Sequence, residues 1–214
     1  LRQAIGDKYG REFGLEYSVD NVMITVGAME ALYLAMVTTV NPGDEIIVPD
    51  PCFPAYLGQV MMLGAKAVPV PVREENEFKL QADDVEKAIT SKTKAILLNS
   101  PSNPLGSMLE KEDLEALAKV ALRHNLVVLS DEVYEKIIYD GRFHYSIAQL
   151  PGMKERTIII NSFSKTYSMT GWRIGYLLTN KEIAQHMPKI QEGIASCVAA
   201  FVQKAAIAAL KGPD

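Results

Sequence analysis

The chain is poor in the residues that staple or metallate a fold. Its 214 residues include two cysteines and three histidines. Cys52 and Cys197 stand far apart and form no CxxC pair, which fits a reducing compartment and excludes a disulfide scaffold. His124, His144 and His186 show no metal-ligand spacing, so each reads as a surface or satisfied core histidine. Neither GxGxxG nor GxxxxGK[ST] is present, which removes the two commonest glycine-rich phosphate loops. There is no basic cluster and the net charge is −4, so nucleic acid is not expected as a partner. No basic, apolar leader is visible at the start. The longest apolar stretch, 193–210, contains Gln203 and Lys204 among many alanines and reads as one packed amphipathic helix, not a membrane span. These absences together predict a cytoplasmic protein.

What is present is a large apolar fraction, 48%, enough to bury a sizeable core. Leu1, Ile5, Tyr9 and Phe13 run at helical spacing up to Gly14. Strands are expected at 21–25, 45–49, 65–72, 94–98, 126–129, 157–160 and 173–178. Helices are expected at 28–40, up to about 63 after Pro54, at 83–89 and at 110–124. The last of these turns Leu114, Leu117, Ala118, Ala121 and Leu122 inward. Strands alternating with helices predict a three-layer α/β/α fold with a mainly parallel sheet, as one domain over 1–214. Ligands of such sheets sit outside the carboxyl ends of the strands.

The residues expected at those ends are the ones with chemistry. The run Ile158–Ile160 leads into Asn161, Ser162, Phe163, Ser164 and Lys165, and Arg173 then enters the next strand. A lysine beside apolar segments loses hydration and becomes a nucleophile able to form a Schiff base; a solvated loop lysine is the bland alternative. Hydroxyls of Ser162 and Ser164 with the Arg173 guanidinium make a phosphate site, or ordinary surface contacts. Gly27, Ala28 and Met29 open a helix whose free N–H groups suit an anion, or simply form a turn. Asp131 follows the strand Val127–Leu129 and needs a partner if buried, such as a protonated pyridine nitrogen; a helix cap or a salt bridge with a nearby Arg or Lys is the bland alternative. Tyr134 follows it, as a ligand contact or a packing residue. Asn103 sits in the loop 99–106, shaped by Pro101, Pro104 and Gly106. Phe53, between Pro51 and Pro54, offers a face to a flat ring or packs in the core. One ligand would use all of them: a phosphate, an aromatic ring with a basic nitrogen, a phenolic oxygen and an aldehyde. Pyridoxal 5′-phosphate has all four.

In these residues the sequence resembles the class I/II aminotransferases, fold-type I pyridoxal-phosphate enzymes. The segments that carry the likeness are Asn99–Gly106, Ser130–Tyr134, and Ser162–Lys165 through Gly171–Gly175. The resemblance implies that Lys165 joins the cofactor aldehyde as a Schiff base and later shuttles a proton. Asp131 would keep the pyridine nitrogen protonated, and Asn103 and Tyr134 would bind the phenolic oxygen. Phe53 would stack on the ring, and Ala28, Met29, Ser162 and Arg173 would hold the phosphate. Leu105 stands where the family usually has threonine, and Ala28-Met29-Glu30 replaces a more polar turn. The resemblance further implies a homodimer acting on an amino acid, of aspartate or aromatic type, and a 2-oxo acid. It places the arginine that grips the substrate carboxylate in a small domain beyond residue 214, so the chain reads as the large-domain fragment of a longer protein. A carbon–sulfur lyase on the same scaffold and a non-catalytic ligand-sensing domain of a regulator are the alternatives. A serine hydrolase of the S-x-x-K type, on Ser162 and Lys165, lacks its companion motifs.

Overall fold

The computed structural model describes residues 1–212. The elements in chain order begin with α1 (Arg2–Phe13), β1 (Val22–Thr25), α2 (Ala28–Val37), β2 (Glu45–Asp50), α3 (Ala55–Met62) and β3 (Lys66–Pro71). They continue with α4 (Ala82–Ala88), β4 (Thr93–Asn99), α5 (Lys111–Arg123), β5 (Val127–Asp131), β6 (Thr157–Ser162) and β7 (Gly175–Leu178). The chain closes with α6 (Lys181–Ala184), α7 (Met187–Ile194) and α8 (Ala200–Lys211). The strands form one sheet in the order β1-β7-β6-β5-β4-β2-β3. Only β7 runs against its neighbours; the pairs β2/β3, β2/β4, β4/β5 and β5/β6 are parallel.

Alternation along the strands explains the layers. In β4, Ala95 and Leu97 enter one apolar cluster while Ile96 and Leu98 enter another on the opposite face. In β6, Ile158 and Ile160 join the first cluster and Ile159 faces the other way. A side-chain period of two with both faces buried demands helices on both sides. The first cluster is covered by α2, α3 and α7 through Leu34, Ala35, Tyr56, Val60 and Met187. The opposite face is covered by α5 at one end, through Leu114, Leu117 and Ala121, and by α1 and α8 at the other, through Ile5, Tyr9, Val202 and Ala206. Burying a leucine or isoleucine side chain stabilises by about 1.5–3 kcal/mol, so these stripes decide which face each helix presents. No helix among the described residues is long and apolar enough to cross a membrane.

Three expectations are corrected. The apolar stretch 193–210 is not one helix. It breaks between Ile194 and Ala200, with Ser196 in the left-handed region at φ 58°. The reason is topological: α7 packs on the face of the first cluster and α8 on the other, so the chain turns round the edge of the sheet between them. In α5 the buried stripe includes Val120, and Leu122 is 41% exposed, because the helix is rolled towards the Val120 flank. The second helix stops at Val37 rather than 40. There the hydroxyls of Thr38 and Thr39 donate back to the carbonyls of Leu34 (2.7 Å) and Ala35 (2.6 Å), which satisfies the helix end.

Helix α1 is tied to the segment after β5 by a buried ion pair, Lys8 with Glu135, each carrying at most 3% exposure. Removing one partner strands the other charge in the core. Glu135→Ala is therefore expected to cost about 3–5 kcal/mol. The double exchange Lys8→Met with Glu135→Leu should recover most of that loss. Urea unfolding of the three proteins checks this, and a Glu135→Ala midpoint equal to wild type would show that the pair is not buried.

Candidate active site

The parallel strands deliver their following residues to one edge of the sheet, and a cavity of about 200 Å³ opens there. Ala28 and Met29 line it from the start of α2, Phe53 from the segment between β2 and α3, and Asn103 from the loop after β4. Asp131 and Tyr134 reach it from the end of β5, and Ser162, Lys165 and Arg173 from the stretch between β6 and β7. The structure thus brings these residues, and Ser164 with them, to one cavity, while Gly27 lies just behind it at the start of α2. Tyr56, Asn99 and Thr170 also line it and were not singled out. Tyr56 lies in the first turn of α3, three residues after Phe53, and that nearness was the only signal for it in the sequence.

The reversed strand β7 brings Arg173 to this edge. Gly175 pairs with both Thr25 and Ser162, the last residues of β1 and β6, and Arg173 precedes it by two. A Cβ on Gly175 would stand 2.6 Å from the carbonyl carbon of Gly27 and 2.7 Å from the nitrogen of Ala28. The glycine therefore lets the start of α2 close on β7. Gly27 itself has φ 79°, and a Cβ there would lie 2.5 Å from Nη2 of Arg173. The result is a cradle of helix-start N–H groups with a guanidinium against it, a site for a phosphate or carboxylate. Arg173 Nη1 donates to the carbonyl of Thr170 at 2.8 Å, which fixes the guanidinium. Glu30 in the same helical turn does not oppose an anion directly. Its carboxylate accepts from the backbone N–H of Val26 and from Gln191 Nε2 (3.3 Å), turned back into the protein.

Lys165 stands exposed at the cavity, with its Nζ 5.6 Å from the centre of the Tyr134 ring. It is not packed between the flanking apolar strands, because the residue falls three positions beyond the end of β6. Asn99 orders the loop that carries Asn103: its Oδ1 accepts from the Asn103 N–H at 2.7 Å, and its Nδ2 donates to the carbonyl of Asp131 at 3.2 Å. Loop shape therefore comes from a side chain of β4 as well as from the prolines.

Asp131 is buried at 6% exposure. Its Oδ2 accepts from the Tyr56 hydroxyl at 2.8 Å and its Oδ1 from the Val133 N–H at 3.2 Å. Burial pushes its carboxyl up to about 6, against the pull of those two donors and with a smaller push from Glu132. Glu132 points elsewhere. It accepts from Ser130 (2.8 Å) and Ser146 (2.7 Å) and pairs with His144 Nε2 at 3.1 Å, which pins the segment 132–146 to the end of β5.

A carboxyl raised on folding lowers stability as pH rises. Below the ordinary carboxylate value both folded and unfolded chains hold the proton. Between that value and about 6 only the folded chain does, so the unfolded chain gains by releasing it. Asp131→Asn is expected to remove this slope. Its stability relative to wild type should rise by about 2–3 kcal/mol between pH 4 and pH 7. Urea titrations of both proteins at the two pH values check it; a constant difference would mean that the carboxyl is not raised.

Comparison with known proteins agrees with this architecture. An aspartate aminotransferase of Pyrococcus abyssi is 46% identical over 212 residues, covering 99% of this chain and 54% of that protein. An aromatic-amino-acid aminotransferase of Thermococcus litoralis is 43% identical, covering 99% of this chain and 54% of that protein. The crystal structure of an aromatic aminotransferase from Pyrococcus horikoshii superposes with a TM-score of 0.96 at 44% identity, over 99% of this chain and 57% of that one. The chain thus spans about half the length of the relatives it matches. The family model for aminotransferase class I and II matches residues 1–214, and the chain belongs to that family.

Proposed function

We propose that the chain is the cofactor-binding large domain of a pyridoxal-phosphate-dependent aminotransferase. It would move an amino group from an amino acid, of aspartate or aromatic type, to a 2-oxo acid. The observation that carries this reading is the pairing within one cavity of a buried carboxylate, Asp131, with an accessible primary amine, Lys165, beside the anion cradle of Gly27 and Arg173. The relatives support it, since those named act on aspartate or aromatic amino acids. We also propose that the protein works in the cytoplasm as a homodimer, in line with its family.

When bound, pyridoxal phosphate would supply an aldehyde for the amine and a ring that accepts electrons from the substrate α-carbon. Ala28, Met29, Ser162 and Arg173 would hold its phosphate through the cradle described above. Asp131 would take the proton-bearing pyridine nitrogen as the partner that its buried carboxylate needs. Asn103 and Tyr134 would face the phenolic oxygen, and Phe53 the ring face. Lys165 Nζ would be the covalent anchor and would take the proton from the substrate α-carbon and deliver it to the carbon of the cofactor's former aldehyde, a role its exposed position allows.

The test is Lys165→Ala made in the full-length protein, with full-length wild type run against a panel of amino donors and 2-oxo acids. Keto acid, ammonia and sulfide are scored separately. Wild type is expected to make keto acid without ammonia or sulfide; release of sulfide would favour the lyase alternative. The variant should lose the pyridoxal label fixed by borohydride and about 100- to 10 000-fold in turnover, the span of a lost proton-transfer group. A variant that keeps both label and turnover refutes the assignment.

A further inference from the structure

Asp131 needs a fixed direction as well as a charge, and the structure assigns that task to a residue of another element. Tyr56, on α3, is 1% exposed, and its hydroxyl donates to Asp131 Oδ2 at 2.8 Å. Its ring meets Phe53 edge-on, with centroids 5.6 Å apart at 81°. Tyr56 therefore touches two groups that face the same cavity, one by its polar tip and one by its apolar body.

We propose that Tyr56 is the positioning residue of the site: its phenol holds the Asp131 carboxylate ionised and aimed at a cationic N–H of the bound ligand, while its ring sets the tilt of Phe53. The ligand class is a flat heteroaromatic cation such as a protonated pyridine, and the ligand part of this inference rests on the cofactor reading above. The geometry is specific. One carboxylate oxygen is taken by the phenol and the other by the Val133 N–H, so the lone pairs left over are restricted in direction. The donor is durable, because burial and the neighbouring Asp131 push the Tyr56 phenol well above its ordinary value and it stays protonated. The other titratable groups whose charge acts on this pair are Cys52 and Tyr134 on Tyr56, and Glu132 on Asp131, the last with its carboxylate turned away to Ser130, Ser146 and His144. A hydrogen bond to an ionised group favours that ionised form, so loss of the phenol moves the carboxyl further up.

The experiment uses Tyr56→Phe, which keeps the ring and its contact with Phe53. In the ligand-free protein, carbon-13 resonances of labelled aspartate, assigned with Asp131→Asn, give the Asp131 titration midpoint. It is expected to rise by about one to two pH units in Tyr56→Phe. An unmoved midpoint overturns the proposal. The second arm measures the affinity of pyridoxal 5′-phosphate in wild type, Tyr56→Phe, Asp131→Asn and the double variant. The hydroxyl is expected to matter about tenfold when Asp131 is present and less than about twofold when it is not, the non-additivity of a residue that acts through another. Equal losses in both backgrounds also overturn the proposal, since a merely structural tyrosine would act alike in each. If wild type fails to bind the cofactor while the midpoint still moves, the cofactor reading falls and the hold of Tyr56 on Asp131 stands.

Discussion

A sheet whose strands run one way must bring the segments that follow them to one edge. Here β1, β2, β4, β5 and β6 share a direction, and each leads into a segment that lines the cavity. Every chemical feature of the site depends on this constraint. The exception, β7, strengthens it. Being antiparallel, β7 begins at that edge, so the residues before it arrive where the others leave. Arg173 can reach the start of α2 only because Gly175 and Gly27 lack side chains where the two segments meet; each Cβ would fall within 2.7 Å of a neighbour. Gly27 also has a backbone conformation that residues with a Cβ rarely adopt.

The charge distribution follows from where those segments end. Asp131 is the last residue of β5 and sits inside; Lys165 lies beyond the end of β6 and sits outside. A carboxylate in the interior without partners is costly, and the two donors to Asp131 reduce that cost without removing it, since burial still wins. A group left in this condition gains from a cationic partner. The site is therefore asymmetric before anything binds: a buried acid at its floor, an exposed amine at its rim and a guanidinium at its side.

Much of this was legible because it is local. The loop 99–106, the glycine before α2 and the Ser–Lys segment after β6 each announce themselves within a few residues, and short apolar, β-branched runs mark the strands. What could not be read joins residues far apart. Tyr56 meets Asp131 across 75 positions, and Lys8 meets Glu135 across 127. Nothing near Tyr56 in the sequence says which buried acceptor its hydroxyl will find. The break at Ser196 was hidden for a related reason. The stretch 193–210 carries no proline or other turn signal, and whether it packs on one face of the sheet or passes to the other is decided by α1 and α2, which lie at the opposite end of the chain.

Helix α1 contributes no residue to the cavity, yet it braces both segments that carry the reactive groups. Lys8 pairs with Glu135, the neighbour of Tyr134, and the Tyr9 hydroxyl accepts from Asn161 Nδ2 at 3.2 Å on the strand that leads to Lys165. Energy alone does not explain the choice of ions. Desolvating a lysine and a glutamate offsets most of their attraction, and an apolar pair of similar volume would stabilise nearly as well. What an apolar pair lacks is direction, because it tolerates a shift of helix against loop that a hydrogen-bonded pair does not. Lys8 also lies 4.9 Å from the centre of the Tyr9 ring and 3.8 Å from Glu12, so its position is fixed from several sides. A site whose acid and amine come from different strands needs their supports tied to one rigid body, and α1 does this from the far face of the sheet.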